Sequence, residues 1–148
     1  MKEGTGRFLV FTLRGTRYAL DLQDVAEVVE PPPTFPIPRS PDHFIGVMNF
    51  HGNLVSILDL AHFYYQGNFT PDGKVLVLDR RLASLALWVD GVAAIVAAKT
   101  IQRNSAPDDD MTAGCILTGT EEIGLLSLEK LLQRLEGQLS MINTDVLK

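Results

Sequence analysis

A single cysteine, Cys115, excludes an internal disulfide framework in this 148-residue chain and suits a reducing compartment. Basic clusters are also missing: beyond Arg80-Arg81 no run of positive charge occurs, and the formal net charge is −5. A nucleic-acid or anionic-membrane partner therefore has no electrostatic support. No apolar run reaches the length of a membrane span, and only six apolar-rich residues, Phe8 to Leu13, precede Arg14, too few for the core of a signal peptide. The expectation is a cytoplasmic protein with no direct membrane insertion. Catalytic signatures are absent too: there is no Gly-x-Ser-x-Gly elbow, no phosphate loop and no dinucleotide fingerprint.

What is present is an ordinary globular balance, 46% hydrophobic and 21% charged, in a chain long enough for one domain with a sizeable core. Phe8-Leu-Val-Phe-Thr-Leu13 reads as a buried strand, and Tyr18, Leu20 and Leu22 alternate with polar or small residues in the next. Gly15-Thr16 between them predicts a two-residue type II′ turn. Leu22 to Val25 suits one helical turn, after which Glu27 to Glu30 extends again. Six prolines in eleven residues, from Pro31 to Pro41, cannot form helix or central strand. They read as a stiff surface connector rather than a docking motif for a proline-reading domain.

Further strand runs are Val75 to Leu78, Leu82 to Val89, Val92 to Ala97, Cys115 to Leu117 and Ile123 to Leu126. Arg103 to Ala113 is polar and acidic, includes Asp108-Asp109-Asp110, and predicts a structureless stretch. Ser127 is a good N-cap, and Leu128, Leu131, Leu132 and Leu135 share one helical face, predicting a closing helix of two to three turns. The last dozen residues carry no assignment. Roughly nine short strands with brief helices make an all-β barrel or sandwich, and the pattern does not choose between the two.

The densest stretch runs from Gly46 to Leu60. Val47, Met48 and Phe50 make a strand that stops at His51-Gly52-Asn53, where glycine can take positive φ; Leu54 to Leu58 is a second strand, and Asp59 caps a helical turn that Gly67 ends. The spacing Gly46, Asn49, His51, Gly52 and Asp59-Leu60 resembles the signature hairpin of the CheW-type chemotaxis coupling proteins. His51 stands where an arginine is usual in that family. The proline loop ahead of the hairpin is similar to the family's as well, although its triple proline is richer. The resemblance covers almost the entire chain. It implies two small five-stranded, SH3-like barrels sharing one hydrophobic interface within a single domain, residues 1–148, with the second lobe beginning near 68–74. The occurrence of strand, cap and leucine helix twice, at Leu54 to Leu60 and Ile123 to Leu132, hints at the same two lobes.

The resemblance also implies a non-enzymatic adaptor, without cofactor, between the cytoplasmic tip of a chemoreceptor and the regulatory domain of a CheA-type histidine kinase. Carried over residue by residue, the partner-binding candidates are Val25, Glu27, Val28, Gly46, Asn49 and His51. From the residues alone, the exposed valine beside Glu27 reads as edge protection ahead of a docking patch, by about two to one. The competing class is a stand-alone β-barrel that binds or hydrolyses a ligand, marked by a pocket of converging polar groups. His43, His51 and His62, with Asp59, invite a metal reading, but the spacings are not those of a zinc site. Cys115 lies in an apolar strand and reads as a buried structural thiol.

Overall fold

The computed structural model describes residues 4–38, 40–67, 71–101 and 111–147, the side chains of 101 and 138–147 excepted. Strands β1 (Arg7–Leu13) and β2 (Thr16–Asp21) form the first hairpin, followed by a single 3-10 turn (Leu22–Asp24) and β3 (Val25–Val29). After the proline segment come β4 (Phe44–Phe50), β5 (Asn53–Asp59) and helix α1 (Leu60–Tyr65). Then follow β6 (Lys74–Leu78), β7 (Leu85–Val89), β8 (Gly91–Ala97), β9 (Lys99–Ile101), β10 (Thr112–Thr118), β11 (Glu121–Leu126) and helix α2 (Leu128–Leu147). The strands make a six-stranded sheet, β8-β1-β2-β11-β10-β9, and a five-stranded sheet, β3-β6-β7-β5-β4.

The two sheets repeat one plan. A hairpin (β1–β2, or β6–β7) takes a parallel strand on its second member, β11 on β2 and β5 on β7, and that strand is the second arm of another hairpin. Each parallel strand runs straight into a helix. A cap stands at each junction, the last residue of β5 and the first residue after β11: Asp59 accepts from the His62 N–H at 3.2 Å, and Ser127 from the Lys130 N–H at 3.2 Å. Each cap's own N–H donates to a carbonyl just before the partner strand, Asp59 to His43 at 2.7 Å and Ser127 to Met111 at 2.8 Å. In the first sheet β8 and β9 lie at opposite edges yet are separated by Ala98 alone, so the edges meet at that corner. In the second, the chain leaving β3 returns at Phe35 to bridge Val47 of β4 at the opposite edge.

This curling sorts the apolar residues into three clusters. Phe8, Val10, Ala19, Ile116 and Ile123 fill the first lobe; Met48, Val55, Ile57, Val75, Val77, Ala86 and Trp88 fill the second. The alternate residues of the same strands, among them Leu9, Phe11, Leu13, Leu76, Leu78, Leu87 and Val89, join α1 and the start of α2 in one large shared core. Both faces of β1, β6 and β7 are thus buried, which is why these strands read as unbroken apolar runs. The fold is the expected pair of SH3-like lobes on a common hydrophobic interface.

Several expectations need correction. The lobes do not divide the chain near 68–74, because β6 and β7 complete the sheet begun by β3 to β5, while β1 and β2 pair with β8 and β11 from the second half. Parallel pairing of non-adjacent strands leaves no local trace in sequence. The first lobe has six strands rather than five, since the three-residue β9 is too short to show a pattern. The first hairpin turns at Arg14-Gly15, φ 51° and 82°, one residue earlier than Gly15-Thr16. Both central residues have positive φ, the combination that suits strand twist, and Asp90 anchors the turn by accepting from the Arg14 N–H at 2.6 Å. Strand β7 begins at Leu85, because the Leu82 N–H closes a turn onto the Asp79 carbonyl at 2.9 Å. Helix α2 runs 20 residues, through the stretch left unassigned. The predicted loop falls outside the described residues from Arg103 to 110, and Thr112 already belongs to β10.

Candidate functional site

The β4–β5 hairpin is built by the residues that spell its motif. His51 and Gly52 take φ 51° and 86°, and the Asn49 side-chain carbonyl accepts from the Gly52 N–H at 2.8 Å, locking the turn. Gly46 does a different job at the other end. The Phe35 N–H donates to Val47 at 2.9 Å and its carbonyl accepts from Val47 at 2.8 Å, so the proline segment lies across β4. A Cβ on Gly46, whose φ is 154°, would sit 2.4 Å from the Phe35 carbonyl oxygen. With its backbone committed to β4, Phe35 holds the proline segment as a connector, as its composition suggested.

Strand β3 carries the other candidates. A register shift between Val25 and Glu27 separates them: Val25 is half-buried against the shared core, whereas Glu27 and Val28 are exposed on opposite faces of the strand, Glu27 on the side of its partner Val77 and Val28, with 40% of its surface exposed, on the side of Leu76. The hairpin tip comes back to this strand. His51 Nε2 lies 3.6 Å from Glu27 Oε2, and the imidazole packs edge-on to the Phe50 ring at 4.3 Å between centroids. Both ends of the Glu27–His51 contact are well exposed, so water screens it, and it carries an ionic component only when the imidazole is protonated. Nearby, Lys74 Nζ grips both Glu30 carboxylate oxygens at 2.7 and 2.8 Å.

The six candidates therefore do unlike things. Glu27 and His51 meet; Val28 is exposed on the other face of β3; Gly46 and Asn49 shape the hairpin; Val25 belongs largely to packing. Sequence reasoning missed Leu54, at 70% the most exposed of the large apolar side chains described. Alternation puts Leu54 on the face opposite Val55 and Ile57, which point into the second lobe, but Leu58 shares that face and is buried in the shared core, so alternation alone gave no signal of its exposure. Leu54, Phe50 and Arg80 line a shallow groove at the end of that lobe.

The remaining titratable groups lie elsewhere. His43 and His62 border a hollow with Pro41, Asp42, Gln66 and Arg134, and Arg134 is stacked on Phe63 with its guanidinium carbon 4.5 Å from the ring centroid. His51 is not part of that hollow, and among the described residues no group of three or more His, Cys, Asp or Glu is placed to hold a metal ion. Asp59 is buried as the cap of α1, and burial pushes its carboxyl above the ordinary value against the pull of the His62 N–H. Cys115 is buried in β10. No helix among the described residues is long and apolar enough to cross a membrane.

Comparison with known proteins agrees with this architecture. The chain is 32% identical over 133 residues to the chemotaxis protein CheW of Klebsiella aerogenes, covering 84% of this chain and 80% of that protein. The crystal structure of the scaffolding protein TtCheW from Thermoanaerobacter tengcongensis superposes with a TM-score of 0.72 at 22% identity, over 82% of this chain and 88% of that one, which shows the shared fold. The family model for the CheW-like domain matches residues 7–136, from the first residue of β1 into α2. The chain belongs to the CheW-like domain family.

Proposed function

We propose that the protein is a chemotaxis adaptor with no chemistry of its own, holding the cytoplasmic tip of a chemoreceptor and the regulatory domain of a CheA-type histidine kinase in one assembly. Receptor state then biases the kinase through modest shared interfaces, a coupling free energy rather than a reaction. The observation that supports this most is the exposed edge strand β3, where Glu27 meets His51 of the signature hairpin, whose turn Asn49 locks, and where Val28 is exposed on the strand's other face. An edge strand that exposes both an apolar and a polar side chain is suited to reversible docking on a polar helical surface. On this reading the protein works in the cytoplasm and is drawn to receptor arrays by protein contacts alone.

Calorimetric titration against a soluble receptor cytoplasmic fragment and, separately, a CheA-type regulatory domain tests the proposal. The expected result is that both bind, and that Val28→Glu weakens at least one of them about tenfold, roughly 1.4 kcal/mol. Binding of neither partner would remove the adaptor reading. Binding of both with no effect of Val28→Glu would move the interface off this surface.

A further inference from the structure

We draw no further inference here: the strongest candidate, the hollow of about 490 Å³ between the loop at Pro41–His43, helix α1 and helix α2, has exposed Asp42 and Arg134 of opposite charge on its lining while His43 Nε2 and His62 Nδ1 are buried, so nothing in it selects a class of ligand.

Discussion

His51 Nε2, at the tip of the β4–β5 hairpin, lies 3.6 Å from Glu27 Oε2 on β3, although β3 and β4 are the two opposite edge strands of their sheet. The contact spans those two edges, and it pairs the residue that departs from the family's arginine with an acid of the same chain. An arginine at this position would find a carboxylate already in place. Its fork is always charged and can engage both oxygens, whereas imidazole offers one nitrogen and an intermittent charge.

His51→Arg is accordingly expected to strengthen the link to Glu27. At so exposed a site the gain in stability is small, at most about 1 kcal/mol. A double-mutant cycle with His51→Ala and Glu27→Gln, read by urea unfolding, gives the native coupling. A coupling indistinguishable from zero would show that the contact adds nothing to stability.

The same pair gives a test of docking. If His51 faces a partner carboxylate, His51→Arg should tighten binding to the receptor fragment or the kinase domain by about 1 kcal/mol. Calorimetric titrations with the unmodified protein and the variant decide it. If stability responds to arginine and affinity does not, His51 serves the lobe and not the interface.

Gly46→Ala should be costly. Its Cβ would meet the Phe35 carbonyl at 2.4 Å, and that carbonyl is backbone held by a hydrogen bond to Val47, so it cannot swing aside. A loss of about 2 kcal/mol is expected. Amide exchange should accelerate at Phe35 and Val47 before it does in β7, because the strain first releases the proline segment from β4. Unchanged protection at both amides would count against this account of the glycine.

Asp59 separates capping from charge. Burial raises its carboxyl pKa in the folded protein above the 3.8 of an ordinary aspartate. The stability it contributes is therefore full below that unfolded value and is lost as pH rises through the folded pKa. Asp59→Asn keeps an acceptor for the His62 N–H and removes the buried charge, so at pH 7 it should be neutral or mildly stabilising. Asp59→Ala removes the cap and should cost about 1 kcal/mol. Unfolding of the three proteins between pH 3 and pH 7 should show the pH slope of this site in the unmodified protein and its absence in Asp59→Asn.

The shared core predicts one cooperative transition. Phe11→Ala and Leu87→Ala each empty space between the lobes and should lower stability by about 3 to 5 and 2 to 5 kcal/mol respectively, moving the whole unfolding curve. Two separated transitions in calorimetry, in these variants or in the unmodified protein, would mean that the lobes unfold independently.

Much of the candidate site was legible because its geometry is local. Asn49, His51 and Gly52 fall within four consecutive residues, and the turn they make needs only positive φ and one side-chain acceptor. The cap at Asp59 follows from a strand running into a Leu-Ala start. The Glu27–His51 contact was not legible: no periodicity links two residues on non-adjacent segments, and only closure of the sheet brings them together. The turn at Arg14-Gly15 escaped for a related reason, since Asp90, which anchors it, is distant in the chain.

The sequence by itself determined the β class, the hairpins, the capped helix starts and the absence of any motif for catalysis, because each depends on residue type within a few positions. Tertiary structure alone decided which strands share a sheet. The parallel pairs β2–β11 and β5–β7 join segments whose order along the chain says nothing of their adjacency. From that pairing came the interleaved lobes and the division of the apolar runs between two lobe interiors and one shared core. The physical reason is that strand alternation specifies only that a side chain faces one way or the other, while which lobe or interface lies on that side depends on the packing of the whole chain.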